Sequence, residues 1–360
     1  MKRIHISEAS SGDSLASPIY GKVGKVLLSE GTKLTGPYIS SLAKKGIEYI
    51  YIHTKNTDGI VAPRILNSQI RQEAVLKVYD TMTSLYNERA LLRATSSQDI
   101  GKEFEKVFKE ILNHLFSSQN HVFNLSDLFI SEGYFFHHSV NVAILAGIVG
   151  IARGYSENQL LELGVGALLF DIGMTQISSR MWNKKSYITV EEKSLIQQHT
   201  IIGYNILKRQ PNVAEGSAFC ALQHHERFDQ SGYPLKLRSE QVHDFAKIVG
   251  IADVYDALTT NRSHRRSYSA LEAAEYLSAA GGILFDVDII KDFLRCIAIY
   301  PVATRVLLSN GFEAVVSEVH PELTLRPTVR VIKNPKGEEL LSPFDIDLRT
   351  KFTVMIEKTM

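Results

Sequence analysis

Three kinds of apolar spacing follow one another along the chain. Over residues 1–60, short β-branched runs (KRIHI, GKVLL, IEYIYI) alternate with Gly, Ser and Pro turns, which is the pattern of strands. Residues 35–46 between them fit one short helix. From Pro63 to about Ser118 the apolar residues recur at helical spacing instead: Ile70, Val75, Val78, Met82 and Leu85, then Phe104, Val107, Phe108, Ile111 and Leu115 beyond the polar break RATSSQDIG. This predicts a helical connector whose apolar face packs against the rest of the chain, against itself or against a second subunit.

Residues 119–300 are helical in pattern almost throughout. Thr189 and Glu192 have capping-box spacing, a periodic stretch follows to Arg209, and Pro211 ends it. Leu195, His199, Ile202 and Ile206 fall on one stripe of that helix, so His199 is expected to point where core residues point. After Pro301 the spacing returns to strands (TRVLL, AVVSEV, TVRVI, FTVMIE) with Asn-Gly and Lys-Gly turns. This tail reads as a small sheet packed on the helices. No internal repeat or low-complexity tract is seen.

Composition narrows the classes. A chain of 360 residues favours more than one domain. Its net charge of +1 gives no electrostatic case for nucleic acid or an anionic membrane surface. The two cysteines, Cys220 and Cys296, form no CxxC pair; neither a disulfide framework nor a thiolate zinc site is suggested, and a cytoplasmic location is expected. The N-terminus MKRIHISEAS lacks the apolar core of a signal peptide. The longest apolar run, VNVAILAGIVGIA from Val140, falls short of the roughly 20 residues that span a bilayer.

Chemistry concentrates in the helical region. Asp171 is a lone carboxylate inside the apolar run LLFDIGM, a placement that costs free energy unless the charge is paired or bound to a metal. Around it in sequence stand HHS at 137–139 with Asn141 behind, His199 on its apolar stripe, QHHERFDQSGYP at 223–234 and ADVYDALTTNR at 252–262. Singly, each has an ordinary reading as a core histidine or a capping aspartate. Together, four helices present His or Asp on or beside an apolar face. Such mixed ligands suit Zn, Mn, Fe or Ni, and bundle cores are common places for them.

The ordered set HSVNV, FDIG, QHTIIG, HHERFDQSGYP and IADVYDALTTNR resembles the HD-GYP family, a subgroup of the HD-domain metal-dependent phosphohydrolases whose members are mostly bacterial cyclic di-GMP phosphodiesterases. GGILFDVDII and IYPVATRVLLSNGFEAVV resemble the family's closing segment, and SLASPIY with GKVLLSEGTKLT is similar to a module found in front of such domains. The resemblance implies a mainly α fold: an HD-domain bundle (119–305) preceded by a small β-rich module (1–60) and the connector (61–118), and followed by a β-rich tail (306–360). It implies metal ligands at His138, Asp171, His199, His224, His225 and Asp253, with Asp171 bridging two ions and Asp171 and Asp253 as catalytic carboxylates. Arg262 and Arg265 stand where the family contacts the dinucleotide. Gly232, Tyr233 and Pro234 form the GYP loop, which is implicated in partner contacts.

The departures fall at informative places. Phe170 stands at the His of HD, and Met174 at a Lys that contacts the scissile phosphate. Gln230 replaces a Gly, and Tyr134 occupies the place of a Glu that supports a third metal in some members. His137 is one residue off the ligand face, with a surface or supporting role expected. One tight ion, a weak or absent second ion and impaired hydrolysis of cyclic di-GMP to pGpG or GMP follow from the resemblance. The alternatives are a fully active phosphodiesterase with a modified centre, or a non-catalytic module that senses cyclic di-GMP or docks a diguanylate cyclase (GGDEF) protein. A homodimer through the connector is compatible with either.

Overall fold

A computed structural model of the chain describes residues 1–91, 99–117, 122–123, 128–129, 133–178, 188–260 and 267–360. The chain begins with strand β1 (Lys2–His5) and continues through β2 (Ile19–Tyr20), β3 (Val26–Leu28), helix α1 (Gly36–Lys44) and β4 (Tyr49–Ile52). β1 and β4 pair antiparallel with Ile4 opposite Ile50, and their apolar faces close on Leu15, Ile19, Leu34 and Leu42. Thr35 caps α1 by accepting the N–H of Tyr38, and the helix falls within the 35–46 stretch expected to hold one.

Two helices follow, α2 (Ser68–Leu91) and α3 (Ile100–Ser117), then a short strand β5 (Leu128–Phe129). β5 runs parallel to β2 and ties the N-terminal strands to the entrance of α4 (Tyr134–Ala152). α4 is the central helix. It is long and apolar enough to cross a membrane by length and composition, yet residues 137–150 are all buried because α2, α3, α5 (Glu157–Leu169), α9 (Asp244–Thr259) and α11 (Val287–Cys296) pack around it. A helix apolar on every side is what a core position requires. Gly164 on α5 shows how tightly the layers meet: a Cβ there would lie 2.0 Å from the Phe108 ring of α3.

The expected continuous helix from Thr189 to Arg209 is two helices. α6 (Val190–Gln197) begins with the predicted capping box of Thr189 and Glu192, and α7 (His199–Leu207) starts after Gln198. Leu195 is exposed while His199 is buried. The single stripe joining them is therefore corrected: the break at Gln198 turns α6 outward and brings only α7 onto the core. α8 (Glu215–Gln223) and α10 (Ala270–Ala280) complete the helical set described here.

The tail forms a five-stranded antiparallel sheet in the order β10-β6-β7-β8-β9, with β6 (Arg305–Leu308), β7 (Glu313–Glu318), β8 (Thr328–Lys333), β9 (Glu339–Asp347) and β10 (Ile356–Thr359). β9 escaped the sequence reading because most of its side chains are solvent-facing at the sheet edge. In FTVMIE only the last residues join a strand. One face of this sheet packs on Ala274, Ile299 and Tyr300 of the helical region. The other meets Met1, Ala16, Tyr51 and Ile60 of the N-terminal strands.

Candidate metal centre

Five segments converge beneath α4. His138 comes from α4, Asp171 from the turn after α5, His199 from the first position of α7, His224 and His225 from the end of α8, and Asp253 from α9. Gly173, two residues past Asp171, permits the approach: a Cβ there would fall 1.9 Å from the His199 carbonyl oxygen. Any side chain at 173 would push Asp171 and His199 apart.

The ring nitrogens of the first cluster are oriented by the backbone. His199 Nδ1 lies 2.7 Å from the Ile196 carbonyl and His224 Nδ1 2.8 Å from the Cys220 carbonyl. A carbonyl can only accept, so both Nδ1 atoms carry the proton and both Nε2 atoms present lone pairs. Those two Nε2 atoms face each other at 3.4 Å. Asp171 Oδ1 sits 3.3 Å from His199 Nε2 and 3.8 Å from His224 Nε2. His199, His224 and His225 each offer a ligand atom within 4.8 Å of the others. Lone pairs and a carboxylate aimed at one small volume repel unless a cation lies among them, so this donor set fits a divalent metal. Burial, reinforced by His199, pushes His224 down to about 3, and burial and His224 hold His225 well below the ordinary range. Both rings are thereby kept neutral and able to ligate.

The second half is arranged differently. His138 Nε2 lies 2.9 Å from Asp253 Oδ1, and its Nδ1 lies 2.6 Å from Asp256 Oδ2. With both carboxylates ionised, both ring nitrogens donate. Burial opposes the charge, but the hydrogen bonds to Asp253 and Asp256 outweigh it and raise His138 to about 9. Burial likewise opposes ionisation of Asp253, yet the His138 hydrogen bond holds it below the usual carboxylate range. The Phe170 ring is fully buried between the halves, its centroid 5.7 Å from His138 and 5.0 Å from His224, edge-on to both. Met174 is also buried, one turn beyond Asp171.

His137 is not at the surface. It is fully buried, and its Nε2 donates to the Gly21 carbonyl of the N-terminal strands at 3.0 Å; the α4 start is closed over by the segment before β3, which corrects the surface expectation. Tyr134 stacks on His138 at 5.0 Å. The GYP loop lies beside the first cluster, with the Tyr233 ring 4.6 Å from His225 and 6.3 Å from His199. Glu226 braces that loop by accepting the Leu235 and Leu237 N–H groups. Arg262 and Arg265 lie outside the described residues.

Three contributors have no role assigned from the sequence, although Asn141 is noted there behind HHS. Asp256 and Asn141 follow Asp253 and His138 by three positions, a spacing that places each on its partner's helix face. Arg71 is the third. It sits on the buried stripe of α2 with Ala74, Val75, Val78 and Met82, and a cation on an apolar stripe was the available signal.

Comparison with known proteins places an HD domain over this region. Residues 113–289 match the family described as HD domain, and residues 305–360 match the KOW domain associated with HD domain. The chain is 28% identical, over 79% of its length and 68% of the relative's, to a cyclic di-GMP phosphodiesterase of Pseudomonas aeruginosa. It is 32% identical to a cyclic di-GMP phosphodiesterase of Thermotoga maritima over 54% of this chain and 52% of that one. A 3'3'-cGAMP-specific phosphodiesterase of Vibrio cholerae matches at 27% identity over 44% of this chain and 30% of its own. Apart from the Pseudomonas protein, the chain thus spans about half or less of the length of these relatives. A solved structure described as a HDG"Y"P protein from Bdellovibrio bacteriovorus superposes with a TM-score of 0.46 at 18% identity, covering 81% of this chain and 97% of that one. Residues 113–289 thus form an HD domain, and the His199, His224 and His225 cluster lies within it. The curated relatives reported above are cyclic dinucleotide phosphodiesterases, and this chain carries Phe170 and Met174 in its FDIGM segment.

Proposed function

We propose that the chain works in cyclic di-GMP signalling as an HD-GYP protein that holds one transition-metal ion tightly and hydrolyses cyclic di-GMP weakly or not at all. The observation that carries this reading is the contrast between the two halves of the centre. His199, His224 and His225 gather ligand atoms within 4.8 Å of one another, with Asp171 Oδ1 3.3 Å from His199 Nε2, whereas His138 is closed on Asp253 and Phe170 fills the space between.

In this reading the first cluster holds the ion, and Tyr233 shields the His225 side from solvent. A bound ion would supply Lewis-acid polarisation of a phosphoryl oxygen and a lowered water pKa. The Phe170 phenyl ring offers no lone pair where the family has an imidazole, and its bulk keeps water from the His138 side. The buried Met174 thioether brings no charge toward a phosphate, and loss of one such stabilising group costs about 2.7–4 kcal/mol in other enzymes. Asp171 and Asp253 remain the carboxylates available for catalysis. Arg262 and Arg265 are the proposed contacts to the phosphodiester, suited to bidentate binding, and the GYP loop is the proposed contact to a diguanylate cyclase or another partner.

The test is turnover of labelled cyclic di-GMP by the full chain supplied with Mn, Fe or Ni. Little or no product is expected from the native chain, with calorimetry showing dinucleotide bound and not consumed. Turnover should rise in the double variant Phe170→His, Met174→Lys. Fast hydrolysis by the native chain would contradict the reading.

A further inference from the structure

The buried guanidinium of Arg71 lies on α2, outside the segment that matches the HD domain, and no metal ligand neighbours it in sequence. It is 1% exposed. Burying such a charge is costly, and its retention calls for a specific structural return.

Its hydrogen bonds lead into the centre. Arg71 Nη2 donates to Asn141 Oδ1 at 2.5 Å, and Asn141 Nδ2 donates to Asp256 Oδ1 at 2.8 Å. Asp256 Oδ1 also accepts from Thr260 Oγ1 at 3.3 Å. Asp256 Oδ2 takes His138 Nδ1 at 2.6 Å, and His138 Nε2 faces Asp253 at 2.9 Å. The polarity of this chain of contacts is set at one end. An amide can present either its oxygen or its NH2, but a guanidinium can only donate. Arg71 therefore fixes the Asn141 oxygen toward itself, which turns the NH2 group to Asp256. Asp256 Oδ1 is then occupied, and Oδ2 is left to hold His138 Nδ1. His138 is thereby held with Nε2 toward the centre.

We infer that Arg71 is a positioning residue: acting through Asn141 and Asp256, it orients the His138 ring on Asp253, so that α2 is an integral part of the centre although it precedes the HD segment. Without the guanidinium the Asn141 amide loses its fixed sense, and the ring loses its anchored Nδ1.

The experiment uses the full chain. The readout is the low-field ring N–H resonance of His138, identified by its disappearance in His138→Asn, with circular dichroism as the check on folding. Arg71→Met should abolish or shift that resonance. Arg71→Lys, which keeps a donor that cannot accept, should retain it. Ion binding at the His199, His224 and His225 cluster should stay within about twofold in both variants, as a general loosening of the fold would not allow. If Arg71→Met does not fold, Asn141→Ala severs the same connection and should give the same loss. An unchanged His138 resonance in a folded Arg71→Met or Asn141→Ala chain would overturn the assignment, as would an equal loss in Arg71→Lys and Arg71→Met.

A second arm rests on the proposed function. In the Phe170→His background, Arg71→Met should weaken uptake of a second Mn ion by about 10–100-fold, the usual cost of removing a supporting group. If Phe170→His binds no second ion, the functional reading fails while the resonance still decides the role of Arg71.

Discussion

The two halves of the centre are built from the same residue types and end in opposite arrangements. In one, backbone carbonyls at Ile196 and Cys220 take the Nδ1 protons of His199 and His224, leaving two Nε2 lone pairs 3.4 Å apart. In the other, carboxylates take both nitrogens of His138 and convert the ring into a buried cation between Asp253 and Asp256. What a histidine can ligate is thus decided by what sits behind its far nitrogen. A neutral acceptor with a single sense prepares a ligand. A pair of anions satisfies the ring internally, so that an ion arriving at Nε2 must first displace a proton.

The sharpest way to break this comparison is to remove one ring from each half. His224→Ala should weaken ion binding by more than about 100-fold, beyond the cost of losing a supporting group, as read by calorimetric titration with Mn or Ni. His138→Ala should leave that ion in place. Instead it leaves Asp253 and Asp256 buried without their shared partner, and should cost about 3–5 kcal/mol of stability in denaturant unfolding. Equal loss of the ion in both variants would erase the distinction.

The halves should also separate in pH. In the metal-free chain, His224 and His137 are held near 3 in the folded state. Below the unfolded value of 6.5 only the unfolded chain takes up their protons, so stability falls as pH drops from about 6.5 toward 3. His138, raised to about 9, acts in the opposite sense: its contribution is complete below 6.5 and is lost as pH rises through 9. Stability of the metal-free chain should therefore peak near pH 6.5 and decline on both sides of it. Thermal melts across that range read both limbs.

The smallest expected effect lies in the GYP loop. Gln230 occupies a left-handed backbone conformation, φ 62°, the region that glycine adopts without steric cost. Gln230→Gly should relieve about 1 kcal/mol of backbone strain and raise the melting temperature slightly, without altering ion affinity.

How much of this was legible beforehand differs by feature. The helical region and the β-rich ends were readable because burial imposes the periodicity that a sequence displays. α4 stood out as one apolar run, and Thr189 with Glu192 marked a helix start that the structure reproduces. The break at Gln198 was hidden because residues on both sides keep helical spacing. β9 was hidden because an exposed edge strand needs no apolar alternation. In the centre, His199, His224, His225 and Asp171 carried a visible pattern. The closure of His138 did not, because it depends on Asp256, Asn141 and Arg71, whose roles exist only when α2, α4 and α9 meet. Arg71 stands 67 positions before His138, and no local spacing connects the two.

The most direct measurement of the central claim is the number of metal ions per chain, determined by elemental analysis on protein purified without chelators, in the native chain and in the Phe170→His, Met174→Lys variant. The account predicts one ion in the native chain, lost with His224→Ala, and two in the double variant. Two tightly held ions in the native chain, or none, would contradict it.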